Sequence, residues 1–290
     1  MVYGALPSRE LGRLAVRAPD RVHPLLTPGL HYLFLNTRVP PFDRLPARRA
    51  VATAVDRARL SRIAFGDSAI ATCQALPPLL PGYEPYCPFG RARGAPDPAP
   101  DLPAARGLVR RSGTRGAAVT VTAPSDVPGL VRAARALART LAGIGWRVRA
   151  RAEHPLFGDR FPGPYAAAAV RSREPLIGWG NWYADLPTAS KLLLPLASCG
   201  RARRLTPRSF NLSGWCDPAL DRAMRKAHTL DTTDPAAAAR LWAKADRAIV
   251  NGGAIVPIAS SQERFVTSAR VGNFQVNPAI YTLVSQMWVR

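Results

Sequence analysis

The sequence lacks the long apolar runs that a membrane-spanning helix requires. No stretch of about 18 uninterrupted apolar residues occurs in the 290-residue chain. The segment Met1 to Asp20 also lacks the continuous apolar core of a secretory signal peptide, because Arg9, Glu10 and Arg13 interrupt it. We therefore expect neither a transmembrane helix nor a signal peptide within this chain.

Recognisable catalytic and metal-binding motifs are also missing. The sequence contains no Gly-x-Ser-x-Gly, no His-Glu-x-x-His and no phosphate-binding glycine loop. Gly143-Ile-Gly145 is only a fragment of a dinucleotide fingerprint, and it ends a predicted helix where the fingerprint would begin one. The histidines share no ligand spacing, and we expect each on the surface or at a helix cap: His23, His31, His154 and His228. These absences argue against an enzyme and against a bound metal or cofactor.

Lysine is scarce, although the chain is strongly basic. Only Lys191, Lys226 and Lys244 are lysines, so the other 37 of the 40 basic residues are arginines, and the net charge is +21. Such a charge leaves an arginine-rich nucleic-acid-binding protein as an alternative. However, the arginines are scattered through every segment, and the densest run, Arg201-Ala-Arg203-Arg204, is short. This distribution favours a solvated basic surface over a phosphate-binding face.

The cysteines fall into two local pairs, Cys73 with Cys87 and Cys199 with Cys216. Neither pair has the Cys-x-x-Cys spacing of a zinc or redox site. Each disulfide would close a loop of about 15 residues and stabilise the fold by roughly 3 kcal/mol. We predict these two disulfides, and with them maturation outside the cytosol. The alternative is four unpaired, buried thiols.

The residues from 104 onward follow an α/β pattern. A strand over Ala118–Thr122 precedes an amphipathic helix over Leu130–Leu141, and a second strand follows at Trp146–Ala150. This order predicts a right-handed parallel crossover. Asp-Pro pairs predict the starts of two later helices, at Asp217 and Asp234.

The remaining segments are predicted more coarsely. Nine prolines within residues 71–103 predict a long loop without helix. Strands are expected at 31–37, 176–179, 254–259, 264–267 and 285–289, and shorter helices from Pro46, near 60–65, at 104–111, within 165–170 and at 188–196.

The segment Trp179-Gly-Asn-Trp-Tyr-Ala-Asp185 is the clearest candidate for a binding site. It places Trp179, Asn181, Trp182 and Tyr183 directly before a carboxylate, Asp185. Aromatic rings offer rigid contact area and can face a cation, and a carboxylate in a partly dry site pairs strongly with an ammonium group. In the alternative interpretation, the tryptophans are core residues and Asp185 caps a helix that begins near Pro187.

Several motifs carry a resemblance to a known family. They are Tyr32-Leu-Phe-Leu-Asn-Thr-Arg-Val-Pro-Pro-Phe-Asp43, the helix Ala47–Arg57, the segment Trp182-Tyr-Ala-Asp-Leu-Pro187, and the two cysteine loops. Together they resemble the bacterial extracellular solute-binding proteins of family 5, the oligopeptide- and dipeptide-binding components of ABC transporters. One departure is Leu186, which stands where the family usually has an aromatic residue.

The resemblance implies an α/β fold of the type II periplasmic-binding-protein class, with a mixed sheet flanked by helices. Residues 38–262 would form the C-terminal ligand-binding lobe, and 1–37 with 263–290 would be partial elements of an incomplete first lobe. The chain would thus match the C-terminal portion of a longer, exported protein.

The resemblance also implies a non-catalytic function. The protein would capture peptide-like solutes outside the cytoplasm and deliver them to a permease in the membrane. It would act as a monomer and would not bind nucleic acid. Asp185 would pair with the peptide α-amino group, and Trp179, Asn181, Trp182 and Tyr183 would lie around it. A truncated, inactive gene product remains an alternative.

Overall fold

A mixed six-stranded β-sheet carries helices on both of its faces, as expected for this fold class. The computed structural model describes residues 8–91, 94, 98–156, 163–200, 210–277 and 281–290. The strands of the sheet are Val22–Leu35 (β1), Ala69–Ala71 (β2), Ala118–Pro124 (β3), Arg147–Glu153 (β4), Leu176–Tyr183 (β5) and Ile255–Val266 (β6). Their spatial order is β2-β6-β1-β5-β3-β4.

The helices are Ser8–Arg17 (α1), Leu45–Ala54 (α2), Arg57–Phe65 (α3), Leu102–Arg111 (α4), Pro128–Ala142 (α5), Pro164–Arg171 (α6), Ala189–Ala197 (α7), Pro218–Leu230 (α8) and Pro235–Gly252 (α9). Two small antiparallel sheets lie near the end of the chain: Val271–Gly272 (β7) with Trp288–Val289 (β10), and Val276–Asn277 (β8) with Tyr281–Thr282 (β9). Among the described helices, none combines the length and the apolarity needed to cross a bilayer.

The predicted parallel crossover connection is present, and its right-handedness stays a prediction. β3 and β4 are parallel neighbours, with Ala118 opposite Arg147, and α5 connects them. β3 is also parallel to β5, whereas β1 runs antiparallel to both β5 and β6. The Asp-Pro helix starts are confirmed as well, because Asp217 accepts hydrogen bonds from two backbone N–H groups of α8 and Asp234 accepts one from α9.

Three predictions about strands gave the wrong bounds. The predicted strands at 254–259 and 264–267 are one continuous strand, β6, and the strand predicted at 31–37 begins much earlier, at Val22. β6 pairs with β1 on both sides of the polar stretch Ser260-Ser261-Gln262. Backbone hydrogen bonds between the two strands therefore keep this stretch in the strand although it interrupts the apolar pattern. The last predicted strand, at 285–289, is a 3₁₀ turn over Val284–Gln286 followed by β10. The boundary predicted between residues 262 and 263 lies inside β6, and the division into lobes stays a prediction.

Alternate residues of β1 point to opposite faces of the sheet and so join two different apolar clusters. Leu33 and Leu35 pack with α2, α3, α4 and α5 on one face, which we call the crossover face. Leu30, Tyr32 and Phe34 pack with α6, α7, α8 and α9 on the other, which we call the cavity face.

Many arginines act as clamps for backbone carbonyl groups. Arg57 is 2% exposed and donates to the carbonyls of Pro257 and Ala52. Arg48 donates to three carbonyls, one of them in α9, and Arg38 donates to the carbonyl of Val170. The planar fork of five N–H donors suits this task, so part of the arginine excess stabilises loops and turns.

Both predicted disulfides, Cys73–Cys87 and Cys199–Cys216, are present. The first staples the proline-rich loop, which α9 also anchors through the buried Asp246. The Asp246 carboxylate accepts hydrogen bonds from the backbone N–H groups of Ala75 and Leu76 and from the side chain of Gln74. Burial raises the pKa of Asp246 to about 6, in spite of these hydrogen bonds.

Candidate functional site

The glycines of β5 allow aromatic rings of β1 to lie across the strand. Tyr32 pairs with Gly180 and Phe34 with Gly178. A Cβ atom added at Gly180 would lie 2.5 Å from Tyr32 Cζ, and one added at Gly178 would lie 2.2 Å from Phe34 Cζ. Each ring therefore occupies the place of the missing side chain, and a larger residue at either position would force the ring to move.

A cavity of about 330 Å³ lies on this part of the sheet. All five residues predicted from the sequence line it, namely Trp179, Asn181, Trp182, Tyr183 and Asp185. The other described lining residues are Tyr32, Leu156, Gly163, Tyr165, Ala166, Gly180, Phe210 and Leu212. The lining is therefore mainly apolar and aromatic, with one carboxylate.

The two tryptophans of β5 have different surroundings. Trp179 is 2% exposed, pairs with Leu33 and belongs to the cluster on the crossover face, where its ring meets Phe65 edge-on at 6.3 Å. Trp182 pairs with Leu30 and packs against the cluster on the cavity face. Its indole Nε1 donates to the carbonyl of Lys191 at 2.9 Å, and its ring centroid is 4.3 Å from that of Phe210. The aromatic residues predicted around Asp185 are thus divided between two faces.

Tyr183 and Asn181 alternate with Trp182 along β5, so their side chains leave the sheet on the side of Trp179. There the Ser261 hydroxyl donates to the Tyr183 hydroxyl and lies 3.1 Å from Nε2 of His31. The His31 ring stacks on Phe65, with centroids 4.0 Å apart.

Burial lowers the pKa of His31 to about 4, so the imidazole is neutral at neutral pH. The expectation of a surface or capping position was therefore wrong for His31. Its place in the middle of β1 could not be foreseen, because the strand was predicted to begin at that residue.

Asp185 is exposed and follows the end of β5. It lines the cavity together with Trp182 and Phe210, and the same three residues also line a neighbouring surface pocket that reaches Lys191 and His228. Within the described part of the chain, the Asp185 carboxylate makes no hydrogen bond or ion pair. The capping alternative was wrong, because α7 begins after Thr188 and its N-cap makes no side-chain bond.

Comparison with known proteins settles the family. The profile of the bacterial extracellular solute-binding proteins, family 5 Middle, matches residues 13–204. The chain belongs to this family. A probable ABC transporter periplasmic-binding protein, SapA of Escherichia coli, is 24% identical over 248 residues, which are 85% of this chain and 42% of SapA. Di/tripeptide-binding protein 2 of Pseudomonas aeruginosa is 28% identical over 202 residues, 67% of this chain and 33% of that protein.

Solved structures of similar proteins show the same fold. Clavulanic acid biosynthesis oligopeptide binding protein 2 superposes with a TM-score of 0.81 at 24% identity, covering 97% of this chain and 50% of its own. HbpA2 from Haemophilus parasuis gives a TM-score of 0.80 at 19% identity, covering 97% and 52%. The chain thus spans about half the length, or less, of the relatives it matches. None of these relatives supports the nucleic-acid alternative.

Sequence reasoning missed the lining residues of the cavity that come from other segments than 179–185. Tyr165 comes from α6, and its hydroxyl donates to the Thr122 carbonyl and accepts the Trp179 backbone N–H. Tyr32 comes from β1, where only the register opposite Gly180 places it in the cavity. Phe210 follows residues 201–209, which lie outside the described part of the chain.

Chemically, the site can hold an organic cation at its rim and an apolar group in its interior. Over the described residues no cluster of three or more metal-ligating side chains forms. The carboxylate supplies the charge, and the rings of Trp182 and Phe210 supply the adjoining wall.

Proposed function

We propose that this chain supplies a peptide-binding surface of an extracytoplasmic solute-binding protein that serves an ABC transporter. Membership of family 5 supports the transport function, and one relative is named for the di- and tripeptides that it binds. The coarse statement, a solute-binding protein, follows from the family; the ligand class and the permease partner are our proposal.

The observation that carries the proposal is the unpaired carboxylate of Asp185 at the mouth of an aromatic cavity. In this chain positive charges outnumber negative ones by 21, and still no described arginine or lysine pairs with Asp185. A carboxylate that is left free beside Trp182 and Phe210 can form a charge-assisted hydrogen bond with the α-amino group of a peptide. The adjacent rings exclude water from one side of that pair and strengthen it.

The cellular setting that we propose follows from the relatives and the disulfides. Two relatives are named as periplasmic proteins, and disulfides persist in oxidising compartments. We place the protein outside the cytoplasm, associated with the membrane through its permease and acting as a monomer. Ligand capture would favour one conformation of the protein over another, as in other two-state binding proteins.

A titration that compares two forms of one ligand tests the proposal. The 290-residue chain is titrated with alanyl-alanine and with its N-acetylated form, and the ¹H–¹⁵N resonance of the Trp182 indole is followed by NMR, which detects dissociation constants of about 1 mM. We expect the free dipeptide to shift this resonance with saturation, and the acetylated form to bind at least about tenfold more weakly. Equal binding of the two forms would show that the amino group of the peptide does not contribute to binding.

A further inference from the structure

The Tyr32 hydroxyl makes no hydrogen bond to another residue in the described part of the chain. The residue is 2% exposed and lines the cavity, and its hydroxyl is not one of the fully enclosed unpaired atoms, which include Trp179 Nε1. The other tyrosine of the cavity, Tyr165, differs, because its hydroxyl bonds to Thr122 and to the Trp179 backbone. A hydroxyl that is not enclosed and has no described partner can bond to a ligand inside the cavity.

The fold holds this hydroxyl in place. The Tyr32 ring lies across Gly180, and an added Cβ there would be 2.8 Å from the Tyr32 hydroxyl oxygen. Burial raises the pKa of Tyr32 above its usual range, so the group stays protonated and can both donate and accept. The apolar surroundings are supplied by Leu156, Ala166 and Leu212.

Tyr32, Trp182 and Asp185 border the cavity in this order along β5 and the turn that follows it. Tyr32 lies opposite Gly180, and Trp182 lies two residues further along β5 on the same face, which is about 7 Å in a strand. Asp185 follows beyond Trp182 and borders the same cavity. A ligand whose amino group meets Asp185 can therefore extend a side chain past Trp182 toward Tyr32.

We propose that Tyr32 makes this cavity selective, within the proposed peptide site, for a large first side chain with a polar tip, tyrosine above all. The inference rests on the proposed function, because Asp185 must hold the amino group. A phenylalanine side chain would fill the same space and leave the Tyr32 hydroxyl unpaired, whereas a tyrosine would supply its missing partner. An alanine side chain would leave most of the cavity empty.

Competition among three dipeptides tests this selectivity. The dissociation constants of Tyr-Ala, Phe-Ala and Ala-Ala are measured by NMR titration of the full chain. We expect Tyr-Ala to bind about threefold to tenfold more tightly than Phe-Ala, the value of one neutral hydrogen bond. Phe-Ala should bind at least about tenfold more tightly than Ala-Ala, because its ring becomes buried.

The variant Tyr32→Phe should remove the preference for Tyr-Ala over Phe-Ala while keeping the preference of both over Ala-Ala. Tyr86→Phe is the matched control, because the Tyr86 hydroxyl bonds to Asn251 and the residue does not line the cavity. It should leave the ratio of Tyr-Ala to Phe-Ala as in the wild type. Thermal unfolding of Tyr32→Phe at or above the wild-type temperature would show that the variant folds, since no bond is lost.

The outcomes separate the two proposals. If Ala-Ala binds and acetylation weakens it, but Tyr32→Phe leaves the ratio of Tyr-Ala to Phe-Ala unchanged, the selectivity is refuted and the peptide-binding function stands. If no dipeptide with a free amino group binds, or if acetylation has no effect, both proposals fail together.

Discussion

The crossover face and the cavity face of the same sheet are filled in different ways. On the crossover face, small residues such as Ala47, Ala50, Ala133 and Ala134 bring the helices close to the strands, and the large Trp179 is enclosed. On the cavity face, Gly178 and Gly180 leave room for aromatic rings of β1, and a cavity remains beside them.

Unpaired polar groups also differ between the two faces. On the crossover face the indole Nε1 of Trp179 is enclosed and has no partner among the described residues. On the cavity face the hydroxyl of Tyr32 and the carboxylate of Asp185 border open space. The comparison indicates that an unpaired polar group points to function only where a ligand has access to it.

The largest effect that should separate the faces is the loss of a tryptophan. Trp179→Ala should lower the free energy of unfolding by about 3–5 kcal/mol, since it empties a large volume in a closed core. Trp182→Ala should cost less, about 1–2 kcal/mol, because Trp182 is only partly buried, and it should weaken dipeptide binding. Urea unfolding measures both values, and equal losses would contradict the distinction between the faces.

The carboxylate of Asp246, which ties the proline-rich loop to α9, should make stability depend on pH. Its pKa of about 6 in the folded protein lies above the usual value, so the folded state binds more protons between about pH 4 and 6. The free energy of unfolding should therefore fall as the pH rises through this window, by about 3 kcal/mol from this group.

The lowered pKa of His31, about 4, has the opposite effect on the free energy of unfolding, which it makes rise with pH. The contribution of Asp246 is therefore tested by comparing the wild type with a variant that lacks the carboxylate. Asp246→Asn should remove the fall, and the difference in unfolding free energy between wild type and variant should change steadily from pH 4 to 6. A difference that stays constant with pH would show that Asp246 is not buried as described.

Removing one hydroxyl from each cavity tyrosine should have unequal effects. Tyr165→Phe loses the bonds to Thr122 and to the Trp179 backbone and should destabilise the chain by about 1–3 kcal/mol. Tyr32→Phe loses no bond in the described structure and should leave stability unchanged or slightly higher. Thermal denaturation of the two variants checks this, and a comparable loss in Tyr32→Phe would reveal a partner for its hydroxyl.

The smallest expected effect on stability comes from Asp185. Asp185→Asn should change the free energy of unfolding by less than about 0.5 kcal/mol, because the carboxylate is exposed and has no described partner. A substantial loss, measured in the same urea experiments, would mean that Asp185 has a structural task, as the capping interpretation supposed.

Local patterns in the sequence were enough to predict much of the fold. The crossover β3-α5-β4, the two Asp-Pro helix starts and both disulfides depend on residues that are close in sequence, and all were confirmed. The extents of β1 and β6 could not be predicted, because their polar stretches are held by pairing between strands that are more than 200 residues apart.

The site was predictable only where it coincided with one short segment. Asp185 and Trp182 stood out because an aromatic strand led into a carboxylate. Tyr32 and Tyr165 gave no such signal, since the register of β1 against β5 and the packing of α6 decide that they meet at the cavity. Because alternate residues of a strand face opposite sides of the sheet, the bounds of β5 were also needed to see that Trp179 and Trp182 lie on different faces.

The central claim, that the Asp185 carboxylate binds the amino group of a peptide, is tested most directly by a cycle of two proteins and two ligands. The dissociation constants of alanyl-alanine and N-acetyl-alanyl-alanine are measured for the wild type and for Asp185→Asn. We predict that acetylation weakens binding to the wild type at least about tenfold and leaves binding to Asp185→Asn nearly unchanged, because the charge pair is then already lost. Acetylation that weakens binding to both proteins by the same factor would show that the amino group does not meet Asp185.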